Sequence, residues 1–224
     1  MPIKLLTPET IGKIAAGEVV ERPSSVVKEL IENALDAGAR RISVEVRGGG
    51  IESIEISDDG IGISPDDLAM ALERHATSKL RSFDDLDTLA TLGFRGEALA
   101  SISAVSSFAI RSRTEDRPAG TSIRVEFGDR YEPVTVAAPG GTTVSVRDLF
   151  GNVPARRKFL RQPSTEHGYV GRVVAAYACA YPQVQFSLTL DGRNVIATNG
   201  SEDYLAAASG VFGPARICAG IVGG

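Results

Sequence analysis

Tryptophan is missing altogether from these 224 residues, and cysteine, histidine and methionine occur only twice each. With aromatic side chains at 6% of the chain, the core has to be built mostly from aliphatic ones. Cys179 and Cys218 are too few for a disulfide framework, and with two scattered histidines they give no zinc-ligand spacing. No apolar run approaches the roughly 20 residues that span a bilayer, and the opening MPIKLLTPET lacks the apolar stretch of a secretory signal. The chain therefore reads as soluble and cytoplasmic, with no membrane partner. A composition 43% hydrophobic and 23% charged is too apolar and too balanced for a disordered chain. The length suits one ordinary domain with a sizeable core.

The formal net charge is −4, but it is unevenly spread. Residues 1–100 hold 18 acids and 11 bases, whereas residues 101–224 hold 10 acids and 13 bases. The densest basic stretch is Arg156, Arg157, Lys158 and Arg161, with no acid between Phe150 and Thr165. A globally acidic protein is a poor general nucleic-acid binder, yet such a cluster can hold a phosphate backbone at one place. The competing reading is that arginines beside Pro154 pack or pair within the fold.

No internal repeat or low-complexity tract interrupts the chain. Pro23 suits a first helical position, and Gly38 a stop, so a helix is predicted over 23–37. At about 100° per residue, Val26, Val27, Leu30, Ile31, Ala34 and Leu35 fill one half of it. Lys28, Glu29, Glu32, Asn33 and Asp36 fill the other. Alternating segments 41–47 and 51–57, joined by three glycines, predict a hairpin. Ser64-Pro65-Asp66-Asp67 opens a helix to about 73, and shorter helices are predicted over 84–89 and 96–104. Strands follow at 107–113, 121–127, 131–137 and 142–147, then a helix over 165–181 stopped by Pro182. A last hairpin pairs 184–190 with 193–197 around Asp191-Gly192. The fold class is α+β: a two-layer sandwich of a mixed, largely antiparallel sheet with helices on one face.

Four features carry chemistry. Glu29 and Asn33 lie four apart on one helix, within about 40° of each other. A carboxylate there can polarise a water, and an amide oxygen one turn on can hold a hard cation. Taken alone, the pair is ordinarily a solvated face. Asp58-Asp59-Gly60-Ile61-Gly62 ends a strand, where glycines let the backbone approach a flat ligand and an Asp can accept from an exocyclic amine. The plainer reading is an acidic turn. Residues 92–99, Leu-Gly-Phe-Arg-Gly-Glu-Ala-Leu, form a glycine-rich loop that opens a helix, the makings of a phosphate cradle without a Walker lysine. Upstream, Thr77, Ser78 and Lys79 add hydroxyls and a cation. Finally, Gly140-Gly141-Thr142-Thr143 leads into a strand.

In this order the four features resemble the Bergerat-type ATPases, which include gyrase-type topoisomerases, a heat-shock chaperone, histidine kinases and MutL. Longer words make the choice among them: IAAGEVVERP (14–23), KELIENALDAGA (28–39), GFRGEALAS (93–101) and PARRKFL (154–160) are similar to the MutL family of DNA mismatch-repair ATPases. The resemblance runs from Pro2 to about Arg161, and more loosely to about 200. It implies ATP and Mg²⁺ as ligands, with Glu29 as general base and Asn33 as the Mg²⁺ ligand. Asp36 and Ala37 join the nucleotide-binding set, Asp58 takes the adenine, Gly62 shapes the base pocket, and Thr143 supports it. Thr77, Ser78, Lys79, Gly93, Phe94, Arg95, Gly96, Glu97, Ala98 and Leu99 match the lid around the triphosphate.

The same resemblance implies an arm over 1–22, an ATPase domain over 23–200, and a second domain starting at 201–224. It further implies ATP-gated homodimerisation, a MutS-type partner and weak DNA contact through Arg156, Arg157, Lys158 and Arg161. The family draws a lysine to the γ-phosphate from the second domain, so turnover is expected of a longer chain. The alternative for this stretch alone is a nucleotide-sensing module that does not hydrolyse.

Overall fold

The computed structural model describes residues 19–73 and 97–213. The predicted helix over 84–89 and most of the arm lie outside the described residues. Helix α1 (Pro23–Asp36) starts at a proline whose missing N–H has no intrahelical partner to lose. It stops in a left-handed glycine, Gly38, at φ 72°. The Gly38 N–H donates to the Leu35 carbonyl and the Ala39 N–H to the Ala34 carbonyl, so two end carbonyls are satisfied by the turn itself. Val26, Val27, Leu30, Ile31 and Ala34 are buried as the periodicity predicts. Glu32, expected on the solvated half, is only 6% exposed.

The strands are β1 (Arg41–Arg47), β2 (Ser53–Asp58), β3 (Ser107–Arg113), β4 (Gly120–Glu126), β5 (Asp129–Arg130), β6 (Val134–Val136), β7 (Gly141–Arg147), β8 (Gln185–Leu190) and β9 (Arg193–Ala197). They form one sheet in the order β5-β4-β3-β7-β2-β1-β8-β9, with β6 also paired to β4. Among the described residues every pairing is antiparallel except β1 with β8. The remaining helices are α2 (Pro65–Met70), α3 (Ala98–Ala104), α4 (Pro154–Phe159), α5 (Pro163–Ala180) and α6 (Tyr204–Phe212).

Alternation decides the two faces of the sheet. Ile42, Val44, Val46, Ile54, Ile56, Phe108, Ile110, Val144, Val146, Phe186 and Leu188 turn inward and join α1, α5 and Leu68 in a single core. The opposite face carries Arg41, Ser43, Arg47, Glu55 and Arg111. This is the two-layer α+β sandwich that the patterning implies.

Three local expectations change. The glycines 48–50 form a 3₁₀ turn pressed against Pro23 and Pro163 rather than a plain hairpin loop. Of the strand predicted over 131–137 only Val134–Val136 forms, directly after Pro133, which has no N–H to give the ladder; the two-residue β5 lies ahead of that span. The helix predicted to reach 73 ends at Met70. Beyond the break at 199–201, α6 packs on α5 and β9.

Candidate functional site

Helix α1 presents Glu29, Asn33 and Asp36 within about 60° of one another, all three half-buried. The Glu29 side chain is 28% exposed, with Lys28 Nζ 3.6 Å from its Oε1. Eight residues further on, about 12 Å along the axis, Ala37 closes the helix against the turn that follows β2. The Ile61 N–H donates to the Ala37 carbonyl at 3.0 Å. A Cβ on Gly60 would stand 2.8 Å from the Ala37 methyl. The helix end and the Asp58–Gly62 turn are thus in contact through backbone.

The two acids of that turn do different work. Asp59 Oδ1 accepts from the Arg40 and Arg41 N–H groups at 2.8 and 2.7 Å, and Oδ2 accepts from Arg41 Nε at 2.8 Å. Burial alone would raise the Asp59 pKa, but these bonds outweigh it and hold the carboxyl below the usual range. Asp59 clamps the start of β1 to the end of β2. Asp58 faces the helix layer, and its Oδ1 accepts from the Gly60 N–H at 2.9 Å. Burial pushes its pKa above the usual range despite the Gly60 and Thr142 N–H groups, with the Asp59 charge adding to the rise.

Two glycines allow the close approach around Asp58. Gly62 has φ 72°, and a Cβ there would meet the Arg113 carbonyl oxygen at 2.3 Å. Gly141 has φ 99°, and a Cβ there would meet the Asp58 carbonyl oxygen at 2.1 Å. Any other residue at either place would push β3 or β7 away from the turn.

The register separates the two threonines after Gly141. Asp58 pairs with Thr142, and Ser57 with Thr143. Directly opposed residues share a face, so Thr142 lies on Asp58's side and Thr143 on the far side. The Thr143 hydroxyl is 2.5 Å from the Ser57 hydroxyl. The Thr142 hydroxyl is 2.8 Å from that of Ser112, which also accepts from the Ile63 N–H at 2.8 Å. The structure therefore sets Thr142 and Ser112 beside Asp58, where the sequence expectation set Thr143. No local signal distinguishes adjacent threonines; only the pairing of β2 with β7 does.

Of the lid residues, Glu97, Ala98 and Leu99 are described. Ala98 opens α3, the Glu97 carbonyl accepts from the Ser101 N–H at 2.8 Å, and Leu99 packs against the core. Thr77, Ser78, Lys79, Gly93, Phe94, Arg95 and Gly96 lie outside the described residues. The basic cluster is divided. Arg157 Nη1 donates to Asp148 Oδ1 at 2.5 Å and Arg156 Nη1 to the Val20 carbonyl at 3.3 Å. Lys158 and Arg161 are exposed, and α4 buries none of its residues.

Chemically, the site offers a carboxylate and an amide at one end of a helix and a half-buried carboxylate among close backbone at the other. Residues 21–140 match the family described as histidine kinase-, DNA gyrase B- and HSP90-like ATPase. The chain is 50% identical to the DNA mismatch repair protein MutL of Desulforudis audaxviator over 213 residues, 95% of this chain and 38% of that protein. It is 50% identical to the MutL of Halobacterium salinarum over 212 residues, 94% of this chain and 32% of that protein. The chain thus spans about a third of the length of these curated relatives. Among solved structures, the Aquifex aeolicus MutL ATPase domain complexed with ADP superposes with a TM-score of 0.73 at 36% identity. That match covers 87% of this chain and 70% of the other. The chain belongs to this ATPase family, within its MutL branch.

Proposed function

We propose that this chain is the ATP-binding and ATP-hydrolysing region of a cytoplasmic DNA mismatch-repair protein. In this reading a Mg²⁺-dependent ATPase acts as a nucleotide-gated dimerisation switch between mismatch recognition by a MutS-type partner and strand removal. One observation carries the reading: a single helix bears Glu29 and Asn33 and ends in backbone contact with the Asp58 turn. The ADP in the Aquifex aeolicus relative supports a nucleotide as the ligand.

Asp58 accepts the exocyclic amine of the adenine, on the face where the Thr142 hydroxyl also lies. Gly62 and Gly141 let β3 and β7 close on the turn that holds Asp58 and so shape the base pocket. The lid residues, from Thr77–Lys79 through 93–99, enclose the triphosphate. At the other end of α1, Glu29 takes a proton from water as the water oxygen bonds to the γ-phosphorus. The bond from that phosphorus to the β–γ bridging oxygen breaks, leaving ADP and phosphate. The Asn33 side-chain oxygen is the donor type that Mg²⁺ accepts, and the cation supplies charge neutralisation at the phosphates. Asp36 and Ala37 continue this wall of the pocket. Weak DNA contact falls to Lys158 and Arg161, whose side chains are exposed, more than to Arg156 and Arg157, which already have partners in the fold.

The test is Glu29→Gln in the full-length protein. Hydrolysis should fall by roughly 10²- to 10⁴-fold, while a non-hydrolysable ATP analogue binds with its Kd unchanged by calorimetry. Unchanged turnover would remove Glu29 from its role.

A further inference from the structure

Glu32 is a charged residue on the helix half expected to be solvated, yet it is 6% exposed. Its Oε1 accepts the Tyr177 hydroxyl at 2.5 Å, from α5 across the helix pair. Lys28 Nζ reaches both of its oxygens, at 3.0 Å to Oε1 and 3.1 Å to Oε2. The same ammonium stands 3.6 Å from Glu29 Oε1. Four polar groups thus run in series from α5 to the Glu29 carboxylate: Tyr177, Glu32, Lys28, Glu29.

Stability does not explain this series. Burying a carboxylate costs more than an exposed ion pair returns, and well-packed apolar residues in its place are often neutral or better. Both donors are firmly protonated. Burial pulls the Lys28 pKa down, but its bond and charge interaction with Glu32, and then Glu29, more than offset that. Burial, and then the Glu32 carboxylate, push the Tyr177 phenol far above its ordinary value.

The distances assign a division of labour. At 3.0–3.1 Å, Lys28 is hydrogen-bonded to Glu32; at 3.6 Å it is outside hydrogen-bond range of Glu29. The ammonium is close enough to bias where the Glu29 carboxylate sits, while its shorter contacts go to Glu32. Were Glu32 not holding it, Lys28 could close on Glu29 and take the lone pair that a water proton needs.

We propose that Lys28, Glu32 and Tyr177 form a positioning array that sets the Glu29 carboxylate for the attacking water and keeps Lys28 from quenching it. The proposal rests on Glu29 being the base. Its members are positioning residues and do not touch the nucleotide.

The test is a double-mutant cycle in the full-length protein, with Glu29→Gln run in parallel. Tyr177→Phe removes one hydroxyl and no packing volume; Lys28→Met removes the charge from a half-exposed stem. Each should lower kcat about 10-fold, since small misplacements of a reacting group have effects on that scale. KM and the analogue's Kd should stay unchanged, while the unfolding midpoint falls modestly, because each change leaves the buried Glu32 carboxylate short of a partner. The double variant should be no slower than Lys28→Met alone, because Tyr177 acts through Lys28. Additive losses in kcat, or a fall in kcat accompanied by a higher KM and a weaker Kd for the analogue, would mean ordinary packing and overturn the array. Unchanged kcat in both variants, with Glu29→Gln inactive, would overturn it while leaving Glu29 as the base. An active Glu29→Gln would instead remove the reading beneath it.

Discussion

The two ends of α1 are held by different means. At the Asp58 end the contacts are backbone: the Gly38 turn, the Ile61 N–H on the Ala37 carbonyl, and glycines at 62 and 141 where a methyl group would collide with carbonyl oxygens. At the Glu29 end the contacts are side chains in series, Tyr177 to Glu32 to Lys28, spanning two helices. The first arrangement fixes a shape and tolerates almost no substitution. The second sets a carboxylate's position with groups that can be trimmed singly while the fold stands. On the proposed function, a nucleobase is recognised by shape and a reacting water by alignment, so each end has the kind of support its proposed task demands.

The comparison is broken most severely at the rigid end. Gly141→Ala places a methyl 2.1 Å from the Asp58 carbonyl oxygen at a φ of 99°. It should destabilise the protein by roughly 3–5 kcal/mol, measured by urea unfolding. A loss under about 1 kcal/mol would mean that the turn yields.

A smaller effect is expected from Asp58→Asn, which keeps the shape and removes the charge. Affinity for an ATP analogue should drop about 10- to 100-fold, the scale of a hydrogen bond to a charged group. Burial raises the Asp58 pKa, so the carboxylate is lost as pH falls through a value above the usual carboxylate range. Wild-type affinity should weaken over that window, and the Asn variant should lose this pH dependence. A flat wild-type profile in calorimetry would contradict it.

The smallest effect sharpens the comparison most. Thr142→Val should weaken analogue binding several-fold, about 1 kcal/mol for one neutral hydrogen bond. Thr143→Val, on the far face of the sheet, should leave it unchanged. The reverse order would mean that the β2–β7 register is misassigned.

Much of this was legible before any coordinates. Pro23 and Gly38 bracket α1, Asp191-Gly192 turns the last hairpin, and alternating Ile42, Val44 and Val46 face inward as written. The candidate site was legible as words, because a pair of side chains at i and i+4 and glycine at fixed places are local requirements. What could not be read depends on partners remote in sequence. Glu32 is buried because Tyr177, 145 residues away, comes to meet it. Which threonine faces Asp58 follows from a pairing across 84 residues. Neither leaves a trace in its own segment.

The parallel pairing of β1 with β8 has a consequence for how the protein is made. It joins Arg41–Val46 to Gln185–Leu190, so the central strand beside the site waits for nearly the whole domain to be synthesised before its second edge is covered. Until then β1 presents an open ladder of N–H and C=O groups, the kind of edge that recruits foreign strands. Such long-range closure is also slow. Nascent chains ending before 185 would carry the Glu29 helix and the Asp58 turn, yet expose an adhesive margin beside them. The β8–β9 hairpin is therefore the seal that makes the nucleotide domain safe to release.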